Sequence, residues 1–178
     1  MTDSEIIDRI DWAFKQLLSN DKWLLEKDLS ERSIAHRWAV YLEQAFISDK
    51  FDFQVDCEYN GDAGRKDGLK RIFFLDRWLK ANAHLEEVPD TIIRRVFPDI
   101  IVHRRCCNDD NLLVIEVKKS TSNQNDVFDR VKMEAYTGRQ FGNTLAYQLG
   151  LVATVGAKRK TGEWAASYYK DGNEFHPE

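Results

Sequence analysis

The sequence predicts an α/β protein, a mixed central β-sheet flanked by α-helices, in one domain over residues 1–178 with an N-terminal helical segment over 1–28. Three observations carry this. Two β-branched runs, Ile100-Ile101-Val102 and Leu113-Val114-Ile115-Glu116-Val117, flank the polar stretch 104–111, the pattern of a hairpin. Both faces of that hairpin are apolar, as in strands covered on each side. Amphipathic stripes of helical period precede and follow it. At 178 residues, 43% hydrophobic and 31% charged, the chain is large and apolar enough to bury a core.

Residues 4–18 set Ile6, Ile10, Ala13, Phe14 and Leu17 on one stripe, and Thr2 with Glu5 forms a capping box before it. A second helix spans 30–47, burying Ile34, Ala35, Trp38, Tyr41, Leu42, Ala45 and Phe46. Glu31 shares that face, and Asp28 to Glu31 reads as a second capping box. Strict alternation over 51–59 predicts a half-exposed strand with Phe51, Phe53, Val55, Cys57 and Tyr59 inward. Leu69, Ile72, Phe73, Leu75, Trp78 and Leu79 read as a helix within the long segment 60–94. Such insertions often carry substrate contacts. After the hairpin come a polar loop (120–125), a helix (126–136), a strand (147–155), a basic turn (158–162) and a closing strand (164–169).

Net charge is −4, which argues against a strongly basic nucleic-acid coat, but the charge is uneven. Residues 1–31 hold eight acids against four bases, and the remainder is balanced, with basic pairs recurring at 65–66, 70–71, 94–95, 104–105 and 118–119. No apolar run approaches the roughly 20 residues of a membrane span. The N-terminus, Met1 to Glu5, lacks the features of a signal peptide. Three cysteines, two of them adjacent, do not make a disulfide framework. These features predict a cytoplasmic protein with reduced thiols.

A symmetric hairpin places Asp99 directly opposite Glu116, and period-2 alternation puts Lys118 on the same face. That face also holds Ile101, Leu112 and Val114; the other holds Ile100, Val102, Leu113, Ile115 and Val117. Two carboxylates in an apolar sheet are expensive unless paired, and a divalent cation is one such partner. The competing reading is a buried ion pair with Lys118 in an ordinary core.

Pro98-Asp99 followed across a hairpin by Glu116-Val117-Lys118 resembles the signature of the PD-(D/E)XK nuclease superfamily, over residues 31 to about 155. The resemblance implies a restriction-endonuclease-like core and metal-dependent hydrolysis of phosphodiesters, on DNA ahead of RNA. It implies Mg²⁺ (or Mn²⁺) held by Asp99, Glu116 and the Val117 carbonyl. Lys118 would orient the water or stabilise developing charge, and Glu31 would add an acid from the preceding helix. Lys119, Lys132, Arg104 and Arg105 would meet the nucleic acid. So small a chain implies a homodimer or a partner subunit for targeting. Families of this kind serve restriction, phage defence, repair and mobile elements.

Other chemistries fit less well. His103, Cys106 and Cys107 do not make a tetrahedral zinc set without further ligands. The chain has no Gly-x-Ser-x-Gly elbow, P-loop or Gly-x-Gly-x-x-Gly. The alternative of a different class is a catalytically inactive nucleic-acid-binding or assembly subunit on the same fold.

Overall fold

A computed structural model of the chain describes residues 1–47, 52–75, 91–123 and 127–177. In chain order the elements are helices α1 (Asp3–Glu26) and α2 (Glu31–Phe46) and strands β1 (Gln54–Cys57), β2 (Arg71–Leu75), β3 (Thr91–Arg95), β4 (Ile100–His103) and β5 (Leu113–Lys119). Helix α3 (Val127–Thr137) and strands β6 (Leu149–Val155), β7 (Trp164–Lys170) and β8 (Asn173–Phe175) follow. Six strands form one sheet in the order β1-β4-β5-β6-β7-β8, while β2 and β3 form a separate two-stranded ribbon. The pair β5–β6 is parallel and its neighbours are antiparallel, so the sheet is mixed, with α3 in the crossover. Among the described residues no helix is long and apolar enough to cross a membrane.

Alternation along β4 and β5 divides the interior in two. Ile100, Val102, Leu113, Ile115 and Val117 pack with Phe14, Trp38 and Leu42 of α1 and α2. Ile101 and Val114 pack with Met133 and Tyr136 of α3, with Tyr147, and with Ile72 of the ribbon. Each fully buried aliphatic side chain contributes about 1.5–3 kcal/mol, so the face toward α1 and α2, with five such side chains from β4 and β5 against two, is the more strongly held. Trp164 of β7 closes the first core, 5.0 Å from the Phe14 ring and 5.8 Å from Trp38. Leu112, expected beside Glu116, lies one residue before β5 and packs in the first core instead.

Helix α1 has the Thr2–Glu5 capping box but runs past residue 18 to Glu26. It crosses the poor helix formers Ser19-Asn20-Asp21 with a non-helical Asp21 (φ −129°). The Asp21 carboxylate accepts from Arg37 Nε (2.9 Å) and the Tyr41 hydroxyl (2.5 Å), which fixes the kink against α2. The cap of α2 is Ser30, whose hydroxyl accepts from the Ser33 N–H. The expected Asp28–Glu31 box is therefore replaced, and both acids are released for other work.

Two expectations in the middle of the chain change. Residues 71–75, expected in a helix, are strand β2, because Thr91–Arg95 pairs with them. A partner nearly twenty residues on is invisible to local periodicity; Trp78 and Leu79 lie outside the described residues. Strand β1 is shorter than 51–59, and Phe51 too lies outside them. Phe53, Val55 and Cys57 pack on the first core, but Tyr59 joins the second. Glu58 adopts φ 49°, which breaks the alternation between them.

Candidate active site

β5 outruns its neighbour. β4 pairs with it as Ile100↔Ile115, Ile101↔Val114 and Val102↔Leu113, which sets Asp99, just before β4, across from Glu116. Beyond that point no strand among the described residues lies against the edge of β5 facing β4, and two side chains take its N–H groups. Asp99 Oδ2 accepts from Val117 N at 2.8 Å, and Glu31 Oε1 accepts from Lys119 N at 2.9 Å. These N–H groups are two residues apart, about 7 Å along the strand. In a strand the N–H and C=O of one residue leave by the same edge. The Val117 carbonyl therefore faces the gap between the two carboxylates.

Glu116 and Lys118 project toward α3. Glu116 is 2% exposed, and its Oε2 lies 2.6 Å from Lys132 Nζ. The same ammonium is 2.6 Å from Asp129 Oδ1, while Asp129 Oδ2 is 3.1 Å from Lys118 Nζ. The chain Glu116–Lys132–Asp129–Lys118 is thus continuous. Burial pushes the Glu116 carboxyl up to about 8; Lys132 pulls it down, and the negative field of Asp99 adds to the rise. Burial also raises Asp99, against the pull of the Val117 N–H. Burial opposes the charge on both lysines, yet Asp129 and Glu31 hold Lys118 above its ordinary value, and Glu116 and Asp129 do so for Lys132.

Asp99, Glu116 and Asp129 face Lys118 and Lys132, and a proton on Glu116 would balance their charge. Glu116 Oε1 is buried and has no hydrogen-bond partner, the costly state for a polar atom. A hard cation replacing the proton would satisfy that oxygen, and a site with few protein oxygens suits Mg²⁺, which keeps several waters. The residues fit such an ion through Asp99, Glu116 and the Val117 carbonyl. Among the described residues, no three His, Cys, Asp or Glu side chains converge as a metal set.

The other expected residues lie elsewhere or are occupied. Lys132 is buried inside the cluster, because α3 turns it toward β5 and not toward solvent. Lys119 Nζ pairs with Asp28 Oδ1 at 2.8 Å on the opposite face of β5. Asp28 also takes the Thr121 hydroxyl (2.7 Å) and Lys158 Nζ (3.0 Å), and these donors hold its carboxyl well below the usual range. Arg104 and Arg105 sit past the far end of β4, roughly 16 Å from Asp99 at the rise of a strand. There Arg104 pairs with Asp110 at 2.7 Å and Arg105 with Asp56. Asp129 is the residue that sequence reasoning missed. Its signal was an acid and a base at i, i+3 on the face that buries Met133 and Tyr136.

No protein-family model, curated protein or solved structure matches this chain.

Proposed function

We propose that this chain is a metal-dependent nuclease with a restriction-endonuclease-like core, hydrolysing phosphodiester bonds in DNA ahead of RNA. One observation carries the reading. Asp99 and the buried Glu116 face each other across the β4–β5 register, with Lys118 one step further on and Glu116 Oε1 unpartnered. A bound divalent cation supplies charge neutralisation at the phosphate and a more acidic water. Asp99 and Glu116 would hold that ion, and Glu116 would give up its proton to do so. Lys118, poised by Asp129, offers an ammonium to the charge that develops on the phosphate oxygens. Glu31 fixes the end of β5 and adds negative charge beside Lys118. Targeting falls to a second copy or to a partner subunit.

The test is direct. Purified protein is incubated with labelled DNA and RNA in Mg²⁺ or Mn²⁺, then with EDTA. Cleavage that depends on metal and disappears in Asp99→Ala and Glu116→Gln supports the reading; wild-type rates in either variant sink it.

A second reading, an inactive nucleic-acid-binding or assembly subunit, is favoured by one contact. Lys132 already sits 2.6 Å from Glu116, a built-in countercharge that makes a metal dispensable. The two readings separate in a melting experiment. A metal-using site is stabilised by Mg²⁺ in proportion to its affinity, whereas a lysine-filled site is indifferent to it.

A further inference from the structure

The insertion between β1 and β4 has its own face, which the site above does not use. In the β2–β3 ribbon Arg71 pairs with Arg95, Ile72 with Arg94 and Phe73 with Ile93. Ile72 is fully buried against α3. Alternation then turns Arg71, Phe73, Ile93 and Arg95 outward on one surface. Ile93 and Phe97 are each 56% exposed, and Arg95 is exposed as well; Arg94, paired with Ile72, lies on the other face. Loop residues Arg65 and Lys66 border this surface, with the Arg65 guanidinium 5.7 Å over the Phe73 ring.

We propose that this outer face is a phosphate-gripping surface for duplex DNA, with Arg95 and Lys66 as its phosphate contacts. The inference rests on the nuclease reading for its choice of polyanion. Like charges directly opposed on an antiparallel pair destabilise it, and Arg71 faces Arg95. Asp67 pairs with Arg71 and lies 3.7 Å from Arg65. Among the described residues no acid lies within ion-pair distance of Arg95 or Lys66. Among the described residues this face thus presents cationic charge without an acidic partner, on a molecule of net charge −4.

Position and rigidity favour DNA. Asn143 accepts from Phe73 N (2.9 Å) and donates to Phe73 O (2.8 Å), clamping β2 to the body of the protein. β3 leads through Phe97 and Pro98 into Asp99, so Arg95 lies four residues, at most about 14 Å of chain, from the carboxylate. A two-stranded ribbon matches the width of the B-DNA major groove, where exposed apolar side chains such as Ile93 and Phe97 meet thymine methyl groups. Phosphates held by Arg95 and Lys66 would bring the neighbouring backbone to Asp99.

The test measures affinity of the full chain for a short labelled DNA duplex in EDTA, where nothing is cut, as salt is varied. Each phosphate contact contributes a slope near −0.9 in log–log form. The double variant Lys66→Ala/Arg95→Ala should flatten the slope by about 1.8 and weaken binding about tenfold or more at physiological salt. Arg95→Glu should weaken binding further than Arg95→Ala. Lys15→Ala, on the outer face of α1, should change neither quantity. Unaltered melting temperatures in the ribbon variants separate lost contacts from lost fold. An unchanged slope in the double variant, a loss seen with single-stranded RNA but not with the duplex, or a wild type that does not bind overturns the inference. If wild type and double variant bind and cleave DNA alike, the ribbon proposal fails and the nuclease reading stands. If binding depends on the ribbon but no metal produces cleavage, the nuclease reading fails and the ribbon proposal stands.

Discussion

Asp56 and Glu116 are both acids on one face of the central sheet, two strands apart, and they meet opposite fates. Asp56 accepts from His103 Nε2 (2.9 Å) and Arg105 Nε (2.9 Å) through one oxygen, and from Arg105 Nη2 through the other. Burial works against its charge, but Arg105 and His103 outweigh it and hold the carboxyl below its ordinary range. Glu116 is more deeply buried, has one bonded oxygen and one orphan, and is pushed up to about 8. A carboxylate whose donors are all supplied by the fold is a fixed structural part. One that the fold leaves half-satisfied keeps capacity for something that arrives later.

The largest effect expected from this contrast is on catalysis. Glu116→Gln should lower metal-dependent cleavage on the order of 10²–10³-fold or more, because the hard anionic oxygen is lost. Asp56→Asn should leave the cleavage rate near wild type. It should instead destabilise by roughly 1–3 kcal/mol as the buried His103 and the Arg105 guanidinium lose an anionic partner, read by denaturant unfolding. A large cleavage defect in Asp56→Asn would erase the distinction.

Stability against pH sharpens the contrast, because the two acids carry opposite signs. Glu116 is raised from 4.5 to about 8. Across that window the folded state binds more protons than the unfolded one, so this group's contribution to stability declines as pH rises. Asp56 is lowered from 3.8, so its contribution is present above that value and is lost as pH falls through the folded pKa. The stability difference between wild type and Glu116→Gln should therefore shift in favour of the variant between about pH 4.5 and 8. The Asp56→Asn difference should shrink in acid. Mg²⁺ should raise the wild-type melting temperature more at alkaline pH, since its binding displaces the Glu116 proton.

Glu31 tests the middle of the range. Glu31→Gln keeps an acceptor for Lys119 N and removes the charge, so stability should hold within about 0.5 kcal/mol while cleavage falls. Glu31→Ala should add a loss of about 1–3 kcal/mol from the abandoned N–H. Equal cleavage in wild type and Glu31→Gln would reduce Glu31 to a strap on β5. The smallest effect belongs to Tyr136, whose hydroxyl is buried without a partner. Tyr136→Phe should change stability by less than about 1 kcal/mol, and upward.

Legibility in the sequence followed the range of the interactions. The hairpin register could be read because a symmetric break and period-2 alternation are local, and Ile100↔Ile115 is the pairing they imply. Asp129 could not, because an acid in the first turn of a helix also reads as a complement to the helix dipole. Its link to Lys118 exists only once α3 lies on β5. Lys132 carried the same ambiguity, since the flank of a helical stripe can face water or a neighbour. Arg104 and Arg105 mislead for a different reason: they are close to Asp99 in sequence, but β4 is straight and carries them away. Strand β2 was misread because its partner is distant and Ile72-Phe73-Phe74-Leu75 fits either period.

The uncovered edge of β5 has a consequence for the protein's behaviour in solution. An open strand edge with free N–H and C=O groups is a template for pairing with another chain, the first step in aggregation. Here the N–H groups of Val117 and Lys119 are occupied by Asp99 and Glu31, acids that cannot extend a ladder. The carboxylates therefore act as gatekeepers of the edge whatever else they do. Removing both at once should make the protein more prone to form β-rich aggregates on mild heating than removing either alone.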